Sequence, residues 1–389
     1  MHPWLLLIII LANNLLPIQP VQVSITDLGV TYVFGESMSF QARILSSDTV
    51  KDVFLFIQPE GQDSIAEKMT LSGQGDLSYI YDLRQKPLPP FSKITYWYRV
   101  VLADGSQEEN GKTVFSYDDN HFTWQQLEQD GFQVNWVDGD LAFGQTALNT
   151  AKAGLDSAHK YLPGNLPSPL RIFIYPNSDD LQAALQASQI TWIAGHANPQ
   201  LGIIMVTIAP GVEQRMEMER QIPHEIMHMV EAQDAGDSYS SLPTWLTEGT
   251  ASLAEIYPNP DFQRSLSKAA ESGTLIPLNM LCNGFSHEAS SAFLSYAESI
   301  SFVRYLSDSF GSSGLQKLIQ KYQDGLGCSE AVQAAYGQSF DQLEARWKQE
   351  VLGINAQVLA WKNLSPYLLL SLLLLLPPIG LGMWGQRKS

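Results

Sequence analysis

The chain has 389 residues, 45% of them apolar, which is enough for two or three domains with sizeable cores. Its 40 acidic side chains against 23 basic ones give a formal charge of -17. That balance argues against nucleic acid as a partner, because phosphates attract a basic surface, and it fits a solvated, exported surface without indicating a fold. In chain order, the first segment is Pro3 to Ala12, PWLLLIIILA. A short apolar run at the N-terminus reads as the core of a signal peptide over residues 1–21, or as an uncleaved N-terminal anchor.

Residues 22–118 read as strands. Val53, Leu55 and Ile57 alternate with Phe54 and Phe56, and Ile94, Tyr96, Tyr98 and Val100 alternate with Thr95, Trp97 and Arg99. Period two over such runs means pleated strands with a packed face. Asp104-Gly105 signals a hairpin turn between that second strand and Thr113 to Tyr117. Six or seven strands in this length predict an all-β sandwich. The YWYRV stretch before a short hairpin resembles the last strands of fibronectin type III or immunoglobulin-like domains, and a spacer role is expected.

After Asp118 the periodicity changes. Asp140 is placed to cap a helix with apolar positions Leu141, Phe143, Leu148, Ala151, Leu155 and Leu162. Leu170 to Tyr175 is a strand, Asp179 to Ala187 a helix, and Leu201 to Ile208 a second strand. Alternating helix and strand predicts a small α/β layer. From 213 to 353 only helices and loops are expected.

Residues 224 to 228 read HEIMH. On a helix, positions i and i+4 share a face, so His224 and His228 can direct ring nitrogens at one metal. Glu225, one residue round, can reach a water activated there. Pro223 either sits in the first turn or kinks a longer helix starting near Glu213. Twenty residues on, Glu248 lies in LPTWLTEGTA, on a second helix. Two histidines and one carboxylate leave a fourth tetrahedral position open, the arrangement of catalytic rather than structural zinc.

HExxH followed by a glutamate at this distance resembles the gluzincin branch of zinc metallopeptidases, and the WLTEGTA context resembles peptidase MA-like domains. The resemblance covers residues 122–353. It implies Zn2+ held by His224, His228 and Glu248, with Glu225 as general base, and a peptide or protein as substrate. Tyr296, at the start of YAESISFVRYL, matches a tyrosine that such domains carry, and a phenol there can donate to a developing oxyanion. His287 is the weaker candidate for that role. Several gluzincins place an acid four residues after the third ligand. Here that position is Ser252, and Glu255 is expected to substitute. His121, His159 and His196 show no partner pattern and are read as structural or surface residues. In similar metallopeptidases the strand before the HExxH helix is the sheet edge lining the cleft. That makes Gly202 to Ile208 a place for an extended substrate, although its unbroken hydrophobicity suits an interior strand.

Cys282 and Cys328 are the two cysteines. They either pair, tying the loops that flank the Tyr296 helix, or remain as two thiols. A linker is expected over 354–366. From Tyr367 to Trp384 the chain reads YLLLSLLLLLPPIGLGMW, with Arg387 and Lys388 beyond. Its length, interfacial aromatics and following cations predict a transmembrane helix over 367–384 with a cytoplasmic tail at 385–389. The reading is therefore α+β: a β-sandwich, a zincin-like catalytic domain of small mixed sheet plus helical half, and one helix in a lipid bilayer. The expected function is a membrane-anchored extracellular zinc metallopeptidase. The alternatives are an inactive cell-surface binding or adhesion protein and a non-peptidase zinc amide hydrolase.

Overall fold

The computed structural model describes residues 23–185, 195–286, 288–354, 361 and 364–372. They fall into two compact units divided between His121 and Phe122.

The first unit holds eight strands: β1 (Val23–Val33), β2 (Ser37–Ser46), β3 (Val50–Pro59), β4 (Ile65–Met69), β5 (Asp76–Asp82), β6 (Lys93–Leu102), β7 (Gln107–Glu109) and β8 (Thr113–Ser116). One sheet runs β1-β2-β5. The other runs β4-β3-β6-β7, with β8 also on β6. Alternation decides the inner faces. Val53, Leu55 and Ile57 are buried, as are Ile94, Tyr96, Tyr98 and Val100. Phe40 and Tyr96 meet edge to face at 5.1 Å, and Tyr98 donates its hydroxyl to Gln41 O across the sheets. Asp104-Gly105 does make a turn, but it leads first into β7, and β8 pairs with β6 further along.

The second unit begins with a hairpin, β9 (Gln125–Gln129) and β10 (Phe132–Trp136), followed by α1 (Leu141–Ala158), β11 (Leu170–Tyr175) and α2 (Ser178–Leu185). Then come β12 (Gly195–Asn198), β13 (Ile203–Thr207), α3 (Gln214–Ala235), α4 (Thr244–Ala254), α5 (Pro260–Ser272), α6 (Ala289–Gln323), α7 (Cys328–Tyr336) and α8 (Phe340–Glu350). The sheet order is β12-β13-β11-β10-β9, parallel at β10/β11 and β11/β13 and antiparallel at both ends. The strand preceding the motif helix is thus interior, paired on both sides, and among the described residues β12 is the outermost strand at that end of the sheet instead. The expectation that residues 202–208 form the edge is corrected accordingly.

Asp140 caps α1 as expected, accepting from Phe143 N at 3.0 Å. α1 lies directly on the sheet and on α3, because Gly144 abuts the Trp136 ring and Gly154 abuts Pro223. The core between sheet and helices includes Val134, Ile172, Ile204, Ile222, Ile226 and Trp245. α6 changes direction at Gly311, whose φ is +70°. Trp347 is fully buried and donates to Ser301 Oγ. Cys282 and Cys328 form a disulfide, so the loop before α6 is tied to the start of α7.

The C-terminal expectation is corrected. Among the described residues no helix is long and apolar enough to cross a membrane. The helical stretch described there covers residues 364–372. Residues 373–384 of the expected span lie outside the described residues, as do the tail at 385–389 and the signal segment at 1–21. The expected bilayer partnership and single-pass placement therefore find no spanning helix among the described residues.

Candidate active site

The HEIMH segment lies mid-way along α3, which starts at Gln214 and carries Pro223 inside it. Of the two placements open to Pro223, the interior one is realised. Proline has no N–H to give to the carbonyl four residues back, so Glu219 O is left without its helical partner. That carbonyl accepts instead from Ile256 N at 2.9 Å and Tyr257 N at 3.3 Å. The end of α4 is thereby held against α3, with Glu255 at its C-cap.

Glu255 then meets the motif: its Oε1 lies 3.0 Å from His224 Nδ1. Glu231, one turn after His228, takes the matching position, with Oε2 2.9 Å from His228 Nδ1. Each imidazole is anchored through Nδ1, which leaves Nε2 of both directed at Glu248. The separations are 3.3 Å from His224 and 3.8 Å from His228. Ligand atoms of His224, His228 and Glu248 all lie within 4.8 Å of one another, a group able to hold a metal ion. α4 reaches this position because Gly249, next to Glu248, lets it pack closely on α6 at Ser299 and Val303.

Charge supports the fit of a cation. Glu225, Glu231, Glu248 and Glu255 surround two imidazoles. The side chains of Glu231 and Glu255 are 1% and 4% exposed. Burial opposes charge on His224, but Glu248 and Glu255 outweigh it and raise its pKa well above the ordinary value. His228 is raised in the same way, by Glu231 and Glu248 against burial. Burial works against Glu248 ionising, yet the two histidines hold its carboxyl below the usual range. Positive charge is drawn between these groups, and a divalent ion meets that demand with three matched donors. The anchored Nδ1 atoms fix the tautomer such ligation needs.

Glu225 is 6% exposed, and its Oε2 has no hydrogen-bond partner. Burial raises its pKa, opposed by His228 and His224. Gly195 of β12 lies directly against this carboxylate; a methyl group there would collide with it. These groups line a cavity of about 630 Å³, together with His196, Tyr239, Phe262, Phe293 and Tyr296.

The model of the Peptidase MA superfamily matches residues 150–353, which is 204 of the 389 residues. The chain belongs to the Peptidase MA superfamily. The matched segment starts within α1 and carries the whole ligand group. No curated protein matches the chain. Among solved structures, an aminopeptidase N family protein from Idiomarina loihiensis is similar at 7% identity, covering 87% of this chain and 75% of that one, with a TM-score of 0.36. OgpA from Akkermansia muciniphila is similar at 20% identity over 30% of each chain, with a TM-score of 0.22. A family 56 carbohydrate-binding module that binds β-1,3-glucan is similar at 13% identity, covering 24% of this chain and 98% of that one, with a TM-score of 0.18. All three TM-scores are too low to carry an argument about this Peptidase MA member's site.

The structure brings together His224, Glu225, His228 and Glu248, and sets Tyr296 on the cavity wall. Burial raises the Tyr296 phenol pKa, with Glu248 and Glu225 adding to it. Ser252 also lines the cavity, but its hydroxyl is buried without a partner, and the carboxylate comes from Glu255. His287 lies outside the described residues. His121 and His159 are held locally, by Asp119 and by Gly164 O. His196 departs from the expectation, since it stands on β12 in the cavity wall. Sequence reasoning also missed Glu231 and Tyr239. An acid three residues after the second histidine was a readable signal for Glu231. Nothing local marked Tyr239, which sits in a 3-10 turn at Gly236–Ser241.

Proposed function

We propose that this chain is a zinc-dependent peptidase that cleaves peptide bonds in an extended substrate. The observation that carries the reading is the convergence of His224, His228 and Glu248 donors beside the buried carboxylate of Glu225. His224 Nε2, His228 Nε2 and a Glu248 oxygen would hold the ion. When bound, zinc supplies Lewis acidity, which acidifies water and polarises a carbonyl.

The chain's own residues carry the proton. Glu225 accepts it from the attacking water and passes it to the leaving amine. A raised carboxyl pKa suits a group that must both take and return a proton near neutrality. The Tyr296 phenol, protonated throughout this range, donates a hydrogen bond toward the developing oxyanion. Backbone N–H and C=O groups of β12, the outermost described strand, offer an extended peptide a ladder beside Glu225. Gly195 permits that approach, since any side chain there would meet the carboxylate.

The test is digestion of a peptide library by the purified chain, with and without a zinc chelator, with zinc content measured in parallel. Cleavage that stops with chelation and returns with zinc is expected. Glu225→Gln should keep zinc and lose activity by roughly 10²–10⁴-fold. Zinc binding with no peptide cleaved would favour another zinc amide hydrolase or a binding protein. Unchanged turnover in Glu225→Gln would refute the assigned base.

A further inference from the structure

The elements lining the cavity differ in chemistry. The α3 wall presents Glu217, Arg220 and Gln221, joined to one another through the Glu217 carboxylate. A second wall comes from α5 and α6, which contribute Phe262, Ala292, Phe293 and Tyr296 and no charged side chain.

Phe293 and Tyr296 are three residues apart on α6 and share a face. Phe262 of α5 lies across from both, stacked on Phe293 at 4.6 Å and nearly parallel to Tyr296 at 6.3 Å. Phe285 closes the rear, edge-on to Tyr296 at 4.8 Å. Phe262 and Phe293 are only half-buried. Their remaining surface faces the cavity rather than the core, and apolar surface so placed favours an apolar occupant. Ala292 is small and fully buried among them, which leaves depth that a larger residue would fill. Tyr296 joins this wall to the chemistry, since it lines the same cavity as Glu225 and Glu248.

We propose that Phe262, Phe293 and Tyr296 form an apolar subsite that takes an aromatic or bulky aliphatic side chain of the substrate residue beside the scissile bond. This rests on the peptidase reading for its register, but not for its existence as a binding surface. A substrate ring laid against the cavity-lining faces or edges of Phe262, Phe293 and Tyr296 would stack or meet edges within the separation that aromatic pairs favour, about 4.5–7 Å. The polar α3 wall offers no such contact, so selectivity comes from one side of the cleft.

The test uses the zinc-loaded full chain carrying Glu225→Gln, so that binding is measured without turnover. Two blocked pentapeptides are titrated by calorimetry: alanine throughout, with phenylalanine or glutamine at the centre. Glutamine is the control because the site's carboxylates would repel an acid for unrelated reasons. The phenylalanine peptide should bind roughly 10- to 100-fold more tightly. Phe262→Ser or Phe293→Ser, each added to that chain, should reduce the preference to about threefold or less with zinc content and melting temperature retained. Equal binding of the two peptides by the parent overturns the subsite. So does a preference that survives both serine variants. A clear preference without cleavage of any peptide by the native chain overturns the peptidase reading and leaves the subsite standing. Equal cleavage of both peptides overturns the subsite and leaves the peptidase reading standing.

Discussion

Gly249→Ala tests how the third donor is placed. A Cβ built on Gly249 lies 2.8 Å from Ser299 O and 2.9 Å from Val303 Cβ, against an ordinary contact of 3.4–4 Å. Ser299 O is backbone of a packed helix and cannot rotate away. The helices must therefore separate by about 0.6 Å or more, the shortfall between those values, and forced expansion of this kind costs about 1–3 kcal/mol. For a domain of this size that lowers the melting temperature by roughly 2–12 °C. Glu248 is the neighbouring residue and moves with α4, away from His224 and His228. Zinc affinity should fall by about 10-fold or more, as it does when donor geometry is disturbed. Thermal unfolding followed by circular dichroism reads the first effect, and zinc competition against a chromophoric chelator reads the second. A variant with native melting temperature and native zinc affinity would refute the claim that close α4–α6 packing sets Glu248.

Glu255→Ala should weaken zinc binding about 10- to 100-fold by releasing His224 Nδ1, whereas Ser252→Ala, which removes only an unpartnered hydroxyl, should leave it unchanged in the same competition assay. Replacing Cys282 and Cys328 by serine opens a loop of sequence separation 46. In the chain-entropy account this should cost about 4 kcal/mol, read as a lower denaturation midpoint. Glu298 is fully buried, accepts from Ile276 N, and is pushed up to about 7 by burial. A carboxyl with a raised folded pKa contributes stability that is whole below the unfolded value near 4.5 and is lost as pH rises through 7. Glu298→Gln keeps an acceptor for Ile276 and cannot ionise. Its stability relative to the native chain should therefore rise by up to about 3 kcal/mol between pH 4.5 and 8, read from denaturant midpoints across that window. A flat difference would show that Glu298 does not titrate in this range.

What the sequence made legible follows from how locally each feature is encoded. HEIMH is a five-residue statement of helical geometry, so His224, Glu225 and His228 could be read directly. Glu248 needed only a second helix, marked by Pro243 before it. Glu255 was readable as a substitute for the acid missing at Ser252, because one further turn returns to the same side. β12 was not legible. GHAN has four residues, no β-branched side chain and a glycine, so its strand character comes entirely from pairing with β13. The edge reading of residues 202–208 came from the resemblance to metallopeptidases, against the strand's own unbroken hydrophobicity, and with β12 unread His196 had no role. The β9–β10 hairpin was missed although Asp130-Gly131 marks its turn, with φ of +53° and +82°. At the C-terminus the expectation rested on the leucine-rich run as a whole; residues 373–384 of it lie outside the described residues, and among the described residues no helix is long and apolar enough to cross a membrane.

The carbonyl released by Pro223 changes what kind of object the site is. Two helices that bear the donor atoms are fastened by main-chain groups of residues 219, 256 and 257, each bond worth about 0.5–1.5 kcal/mol. The joint is indifferent to which side chains stand at 256 and 257, which are both 42% exposed. Those positions can therefore drift in sequence while the spacing of the donors stays fixed, provided neither becomes proline. A helix defect, by this route, serves as the hinge pin of a rigid frame. The identities that must be kept are one imino acid and two amide hydrogens, a requirement almost invisible to any comparison that scores side chains.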